Sequence, residues 1–262
     1  MTDPTPLTVT HDKGVARVTI DRPSVHNAFD DVLIGDLTRK LRELEGDDSV
    51  RVVVLGSNGK HFSAGADLNW MQRMASYDWD ANFADSAALG ELMHTLNTLD
   101  RPTVARVQGA ATGGGVGLVA CCDIALASER AVFALTEVKL GLIPAVIAPY
   151  VVNALGEREA RRYAITGERF DAATAKALGL VQEVVPEDEL DTRLDDILNG
   201  LRGNGPVAMR EAKRLMRDVS RVPLDADLRR ETARRIADRR ASDEGQDGIA
   251  AFLNKRKPGW AK

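Results

Sequence analysis

Cysteine is scarce in this chain of 262 residues, which contains only two. Both of them, Cys121 and Cys122, are adjacent in an apolar segment, and neighbouring residues of a helix point to different sides, so no disulfide between them is expected. We interpret them as small core residues and not as metal ligands or nucleophiles. The four histidines form no spaced cluster either, so the sequence predicts no metal site.

Long apolar runs and a strong charge of one sign are also absent. No run of about 18 apolar residues occurs, so we expect no membrane-spanning helix. The first residues, MTDPTPLTVT, show neither a basic segment followed by an apolar one nor an arginine-rich amphipathic helix, and we expect a cytoplasmic protein of bacterial type. The formal net charge of -4 exerts no overall attraction on nucleic acid, so a small molecule is the default partner.

Hydrophobic residues, by contrast, make up 44% of the chain, enough for a sizeable core in one large domain or two ordinary ones. From Gly156 onward, helical patterns alternate with brief turns, interrupted by a short strand at residues 181–185. Gly and Pro cluster at residues 203–206 and no strand signal follows. We therefore expect a core of residues 1–203 and a helical region of residues 204–262.

Strands and helices alternate in the first half of the chain. Residues 7–11 and 15–20 alternate apolar and polar side chains around a glycine turn, which predicts a β-hairpin. Residues 29–45 have apolar side chains at helical spacing, and residues 50–55 form a β-branched run typical of a buried strand. A long helix is predicted over residues 82–99.

The stretch TVARVQGAATGGGVG, residues 103–117, is the centre of the sequence. Its pattern predicts a strand, a glycine turn and a helix. Consecutive glycines between buried elements indicate a close approach to the backbone, and free N–H groups at the start of a helix attract negative charge. A tight helix crossing that needs small residues is the alternative. The stretch lacks the Gly-Lys-Ser/Thr of a Walker loop and the GxGxxG spacing of a dinucleotide fold.

A second small-residue loop, GKHFSAGAD, follows the earlier strand at residues 59–67. Strand, small-residue loop and helix thus occur twice, and a third strand is predicted at residues 123–127. This repetition predicts a spiral of ββα units.

Several motifs occur along nearly the whole chain in the order in which one enzyme family has them. They are Arg22-Pro23 with Asn27-Ala28, FSAGADL from Phe62 to Leu68, GAATGGGVGL from Gly109 to Leu118, CDIALAS from Cys122 to Ser128, FALTEVKLGLIP from Phe133 to Pro144, and FLNKRKPGW near the end. Together they resemble the crotonase (enoyl-CoA hydratase/isomerase) family. The resemblance implies an α/β fold, a crotonase-like spiral with a C-terminal helical trimerisation region, and an acyl-CoA substrate.

The resemblance also implies a site for the thioester of that substrate. The thioester oxygen would lie between the backbone N–H groups of Ala66 and Gly114, which stabilise the negative charge of an enolate-like state. Further residues are implied in binding substrate and coenzyme A. They are Ala64, Gly65, Asp67, Leu68, Gly113 and Lys255. Coenzyme A enters as part of the substrate, and no other cofactor is expected.

Two of these positions carry more specific expectations. Ala64 and its neighbours are expected at the adenine end, and Lys255, in a C-terminal helix, at the CoA phosphates of its own or a neighbouring subunit. A solvated charge is the alternative for Lys255.

One position departs from the family pattern. Standard hydratases carry two glutamates, whereas this chain has Gly117 at the first position and only Glu137 at the second. Glu137 stands among apolar neighbours, where partial burial raises the pKa of a carboxyl toward working pH; a structural ion pair is the alternative. One glutamate suffices for hydration of an enoyl-CoA and equally for isomerisation of its double bond.

A finer resemblance favours hydration. The runs SAGADLNWMQRM, GVGL and TEVKLGLIPAVIAPYVV are similar to those of bacterial methylglutaconyl-CoA hydratases of leucine breakdown and of relatives that act on terpenoid glutaconyl-CoA substrates. Such substrates carry a distal carboxylate, for which Arg73 and Lys139 are candidates, although both are more typical of a surface. A catalytically silent CoA-binding protein is the competing hypothesis.

Apolar faces on the helices after Pro206 predict a homotrimer or a dimer of trimers, because such faces need partners. Two arginine-rich helices in the same region also admit RNA binding, which one family relative shows. We favour a solvated face with Glu/Arg pairs at helical spacing and expect no nucleic-acid partner.

Overall fold

Two β-sheets of unequal size organise the chain, of which the computed structural model describes residues 7–261. The strands are β1 (Leu7–Asp12), β2 (Val15–Ile20), β3 (Val52–Ser57), β4 (Thr103–Val107), β5 (Ala111–Thr112), β6 (Ile124–Ser128), β7 (Val132–Ala134), β8 (Arg169–Asp171) and β9 (Glu183–Val185). The larger sheet has the order β1-β2-β3-β4-β6-β9 and the smaller one β5-β7-β8. The pairs β1–β2 and β7–β8 are antiparallel, and the other neighbours are parallel.

Helices follow most of the strands. The α-helices are α1 (Asp31–Glu45), α2 (Leu68–Met74), α3 (Trp79–Thr98), α4 (Gly114–Cys121), α5 (Ala148–Leu155), α6 (Glu157–Thr166), α7 (Ala172–Leu178), α8 (Leu190–Gly203), α9 (Pro206–Val219), α10 (Ala226–Ala241) and α11 (Asp243–Leu253). Short 3-10 helices occur at Pro23–Val25, Glu137–Leu140, Glu187–Glu189 and Gly259–Ala261. Within residues 7–261, none of the helices combines the length and the apolar character that a bilayer span requires.

The N-terminal elements form where the sequence predicts them, with shifted ends. The expected hairpin is β1–β2, in a register that pairs Leu7 with Ile20. The helix expected from residue 29 begins at Asp31, because the Asp30 side chain accepts a hydrogen bond from the N–H of Leu33 at 2.8 Å and caps the helix there. The strand expected at residues 50–55 is β3, which begins and ends two residues later.

The predicted spiral of ββα units is present. In the second unit β4 joins the large sheet, β5 joins the small sheet and α4 follows; in the third, β6 and β7 divide in the same way before α5. The loop after β3 contributes two isolated bridges, in which Ser63 pairs with Ala111 of β5 and Ala66 pairs with Phe29. Consecutive loops are therefore brought side by side at the carboxyl ends of β3 and β4.

Both faces of the large sheet are covered. On one face, Leu190, Leu194 and Leu198 of α8 pack against valines of the sheet such as Val54 and Val104. On the other face, α1, α3 and α4 contribute to a continuous apolar core. The parallel strands β3 and β4 therefore have few exposed side chains, as parallel sheets do.

Several elements escape the sequence analysis, among them β5, β7, β8 and α5. Strands β5 and β8 have two and three residues, too few to show a period, and pairing with β7 produces them. Helix α5 lies in an apolar run in which Pro149 argues against a helix, yet the proline stands in its first turn, where no backbone hydrogen bond is lost.

The C-terminal helices begin where the sequence places a boundary. Helix α8 ends at Gly203, and Pro206 opens α9. Arg51, next to the start of β3, donates hydrogen bonds to the carbonyl oxygens of Arg202 and Asn204, both at 2.8 Å, and of Trp260 at 3.0 Å. The C-terminal region is therefore helical and tied to the core, while its division from residues 1–203 as a separate domain stays a prediction.

Candidate active site

Buried and exposed residues alternate along the loop after β3. The buried residues are Ser63, Gly65 and Asp67, and the exposed ones are Ala64, Ala66 and Leu68. Such alternation is typical of an extended chain with one face toward the interior. Gly65 has a φ of +91°, and a Cβ there would lie 3.2 Å from the carbonyl oxygen of Thr112, so a side chain is disfavoured twice.

The main chain of Phe29 fixes this loop. Its N–H donates to the carbonyl of Gly65, and its carbonyl accepts from the N–H of Asp67, both at 2.7 Å. Because N–H groups alternate sides in an extended segment, the N–H of Ala66 points away from Phe29. No described residue accepts a hydrogen bond from it, so this donor is free for a ligand.

Asp67 is engaged inside the protein. Its carboxylate accepts hydrogen bonds from the N–H groups of Asn69 at 2.8 Å and Trp70 at 3.3 Å, which caps α2. The guanidinium of Arg22 lies 3.5 Å from the carboxylate and bridges it to Asp30. We therefore interpret Asp67 as a residue that holds the loop, and not as a direct contact to coenzyme A.

The second loop lies against the first. The backbone N–H of Ser63 donates to the carbonyl of Ala110 at 3.0 Å, and its backbone carbonyl accepts from the N–H of Thr112 at 2.9 Å. A Cβ at Gly109 would stand 2.0 Å from the carbonyl oxygen of Lys60, so only glycine fits there. The Gly113 N–H donates to Ala134 at 2.9 Å, and the chain then enters α4.

Gly114 supplies the second candidate donor. As the first residue of α4 it has no carbonyl one turn earlier in the helix, and within residues 7–261 its N–H has no acceptor. A Cβ at this position would lie 2.9 Å from the ring of Phe29. Close packing thus explains why glycine is needed at this position. The free N–H makes the same residue a ligand donor, so the tight-crossing and the anion-binding interpretations of the triple glycine both apply.

Glu137 opens the 3-10 helix that follows β7. Its Oε1 lies 2.9 Å from where a Cβ of Gly113 would stand, directly beside the start of α4. Its Oε2 is buried and has no hydrogen-bond partner among the described residues. Burial raises the pKa of this carboxyl, partly opposed by a hydrogen bond from its own backbone N–H. An isolated carboxyl with a raised pKa is suited to proton transfer, and the structure shows no ion pair for it within residues 7–261.

The position of the missing glutamate is closed to any side chain. A Cβ at Gly117 would lie 2.3 Å from Cγ2 of Ile147 and 3.1 Å from Cε of Met93. Both side chains are buried. Of the two positions at which standard hydratases carry a glutamate, only the second, Glu137, supplies a carboxylate here.

Other residues considered from the sequence lie at the surface. Arg73 is exposed and ion-paired with Asp31, and Lys139 is exposed. Lys255 does not lie in a helix as expected: α11 ends at Leu253, and Lys255 adopts a φ of +51° in the turn that follows. Its helical placement was wrong, because the helix ends early.

The two cysteines are free thiols, as their adjacency predicts. Burial raises the pKa of Cys122 to about 12, which leaves it protonated at neutral pH and argues against a nucleophile. In the described part of the chain, no three His, Cys, Asp or Glu side chains converge in a way that would hold a metal ion.

One residue that shapes the site escapes the sequence analysis. Phe29 follows the Asn27-Ala28 motif directly, and that adjacency is the signal that would have found it. Residues 146–150 are expected at the acyl pocket from the sequence, but the contact of Ile147 with Gly117 is not, since the two lie 30 residues apart and only the packing of α5 on α4 brings them together.

Comparison with known proteins places these features in a family context. The family model described as Enoyl-CoA hydratase/isomerase matches residues 10–262. The 2,3-dehydroadipyl-CoA hydratase of Escherichia coli is 32% identical, over 96% of this chain and 97% of its own.

Two solved structures are similar throughout. A protein from Legionella pneumophila named as an enoyl CoA hydratase/isomerase (crotonase) has a TM-score of 0.94 and 48% identity, covering 98% of this chain and 99% of its own. An enoyl-CoA hydratase from Shewanella pealeana has a TM-score of 0.94 and 45% identity, covering 97% and 96%. The expected crotonase-like α/β fold with a helical C-terminal region is confirmed.

The raised pKa of Glu137 predicts a pH-dependent stability. The folded state binds its proton more tightly than the unfolded state, so stability falls as pH rises above the ordinary glutamate value of 4.5. Glu137→Gln removes this loss. We expect a higher urea midpoint than the wild type at about pH 8 and no difference at about pH 4.

Glu43→Gln is the matched control. Hydrogen bonds from Lys40 and Arg39 lower the pKa of the exposed Glu43 carboxyl, so this variant is expected to lose stability at about pH 8. Equal midpoints for Glu137→Gln and the wild type at about pH 8 would contradict the burial argument.

Proposed function

The chain belongs to the enoyl-CoA hydratase/isomerase family, and we propose that it hydrates 3-methylglutaconyl-CoA to 3-hydroxy-3-methylglutaryl-CoA, a step of leucine degradation. It is an enzyme of the enoyl-CoA hydratase type. The observation that carries the proposal is the half-buried carboxyl of Glu137 beside Gly113, with its Oε2 unpartnered among the described residues, on loops that also offer the free backbone donors of Ala66 and Gly114.

The two N–H groups form the proposed oxyanion hole. Adding water across the double bond next to a thioester moves negative charge onto the thioester oxygen. Donors that are already fixed stabilise that charge without reorganising, and each contributes roughly 3 to 4 kcal/mol to the transition state. Phe29 fixes both donors here, one through its main chain and one through its ring.

Glu137 is the proposed proton carrier. Its carboxylate takes a proton from water while the water oxygen bonds to carbon 3 and the π electrons move toward the thioester oxygen. The carboxyl then returns a proton to carbon 2, and the carbonyl re-forms. A raised pKa favours both halves of this cycle, because the group is a better base than an exposed glutamate and still releases its proton.

The choice of acyl group rests on the sequence motifs and on chemical likeness. The Escherichia coli relative is named for 2,3-dehydroadipyl-CoA, whose acyl chain ends in a carboxylate, as that of 3-methylglutaconyl-CoA does. Arg73 and Lys139 are the cations first considered for this carboxylate, and Arg73 would have to leave Asp31 to reach it.

Coenzyme A would lie along the exposed side of the first loop. Ala64 and Leu68 face outward on either side of Ala66, and Leu68 is 76% exposed. Gly65 contributes by letting the first loop lie close to Thr112 in the second, and Gly113 by leaving room for the carboxyl of Glu137. Lys255 in its exposed turn is the proposed partner of the CoA phosphates. The cytoplasm stays the predicted location, and no cofactor beyond coenzyme A is proposed.

Isomerisation is the second candidate function, favoured by the same lone carboxyl. With Gly117 closed by Ile147, a single group has to take and return the proton. That suits transfer between carbons 2 and 4 of an enoyl-CoA as well as hydration. Turnover of 3-hexenoyl-CoA, compared with crotonyl-, 3-methylcrotonyl- and 3-methylglutaconyl-CoA, distinguishes the two.

Gly114→Pro is expected to lower kcat by about 10²- to 10³-fold relative to Gly114→Ala, because proline lacks the donor N–H. Gly114→Ala is the matched control, since its Cβ meets the same Phe29 ring but the N–H remains. Steady-state kinetics with circular dichroism on both variants make the comparison. Similar kcat values in two folded variants would rule out the oxyanion role of Gly114.

Glu137→Gln is expected to lower kcat for 3-methylglutaconyl-CoA by about 10²- to 10⁴-fold and to leave the Kd of a saturated acyl-CoA within about threefold. The amide keeps the shape of the side chain but cannot take the proton of water. Stopped-flow kinetics and calorimetry measure the two quantities.

Asp85→Asn is the control for a different proton carrier. Asp85 is half-buried, accepts a hydrogen bond from Nε1 of Trp70 at 3.0 Å, and has a pKa raised by burial. It is expected to retain kcat within about fivefold, since it lies outside the proposed proton path. A tenth or more of wild-type kcat in Glu137→Gln, with a large loss in Asp85→Asn, would transfer the proposed role to Asp85.

A homotrimer or a dimer of trimers is the proposed assembly. Large apolar side chains lie exposed on the C-terminal helices, with Phe252 at 84% and Leu253 at 72%. Sedimentation is expected to give three or six times the protomer mass of 28.4 kDa, and Phe252→Asp is expected to lower that mass. A stable wild-type monomer at micromolar concentration would contradict the proposal.

A further inference from the structure

Ile147 occupies the space in which a side chain at position 117 would stand. It is 2% exposed, and its Cγ2 lies 2.3 Å from the position of a Cβ on Gly117. It is the residue before α5, so the turn into that helix holds it in place. The wall of the site at this point is therefore a branched apolar side chain.

Ile147 also lies close to the reacting group. The N–H of Gly117 donates to the carbonyl of Gly113 at 3.2 Å, so the two glycines are one turn apart along the same side of α4. The carboxyl of Glu137 lies against Gly113, and the side chain of Ile147 lies against Gly117. One turn is about 5.4 Å, so a chain extending from Glu137 along α4 meets Ile147 after a few carbon atoms.

Ile147 also lines an apolar cavity of about 150 Å³ between α5 and α6, which is partly open to solvent beside Glu157 and Arg161. Leu135, Pro144, Val151 and Ala164 line it as well. A cavity of this size and character takes up hydrocarbon readily, because removing apolar surface from water is favourable.

We propose that Ile147 limits the length of the acyl chain by closing the site off from this cavity. The inference rests on the proposed function, which places the thioester at Ala66 and Gly114 and the reacting carbons at Glu137. In the wild type, the apolar part of a short acyl group ends against Ile147. With a smaller residue there, the cavity joins the site and accepts the tail of a longer, unbranched chain.

Ile147→Ala tests the proposal against Val151→Ala, a control that enlarges the same cavity but leaves Ile147 in place. Calorimetry gives the Kd of butyryl-, hexanoyl-, octanoyl- and decanoyl-CoA for each protein. Each buried methylene strengthens binding about fourfold. The preference for decanoyl- over butyryl-CoA is expected to rise at least tenfold in Ile147→Ala and to stay at the wild-type value in Val151→Ala.

An unchanged preference in folded Ile147→Ala, or an equal rise in Val151→Ala, would overturn the proposal. If Ile147→Ala does not fold, Ile147→Val takes its place, with a rise of about threefold expected and an unchanged preference counting against the proposal. Saturated thioesters need no turnover, so the binding data test Ile147 even if hydration is absent. Absence of turnover with every enoyl-CoA would instead reject the proposed function.

Discussion

The contact between Phe29 and the two glycine loops is the constraint on which the site depends. The main chain of Phe29 pairs with the first loop, and its ring fills the space against Gly114 in the second. Phe29 is 2% exposed, so neither contact has room to relax. Asn27, two residues earlier, strengthens the arrangement by donating to the carbonyls of Asn58 and His61, both at 2.8 Å. One short segment thus sets the distance between two donors that are nearly fifty residues apart in sequence.

The glycines of helix α4 lower its stability but let neighbouring residues pack closely against it. Glycine in a helix interior is less stable than alanine by roughly 0.5 to 1 kcal/mol, and α4 has three glycines in its first four residues. Each removed side chain admits a neighbour: Phe29 at Gly114, Ser63 at Gly115 and Ile147 at Gly117. Gly113, just before the helix, leaves room for Glu137 in the same way, and burial there raises the pKa of its carboxyl. Packing and acid-base chemistry have a common origin here.

Much of the fold and of the site could be predicted from the sequence, because the motifs reflect the local backbone conformation that each loop requires. The triple glycine, the loop FSAGAD and Glu137 indicated the elements that come together, and the hairpin and α1 followed from periodicity. Other features depend on contacts between distant segments, which periodicity does not encode. The closure of Gly117 by Ile147 and the strands β5 and β8 are of this kind. The sequence analysis missed the capping role of the Asp67 carboxylate, because an aspartate that caps a helix and one that contacts a ligand look the same in a sequence.

The hydrogen bonds of the Arg51 guanidinium can form only late in synthesis of the chain. Its carbonyl acceptors belong to Arg202, Asn204 and Trp260, which leave the ribosome long after β3 itself. Until they arrive, a cation beside the central sheet has to stay hydrated, and contacts of such long sequence separation close slowly. The sheet can therefore pair early, whereas the contacts of Arg51 at the start of β3 are complete only after Trp260 has been translated.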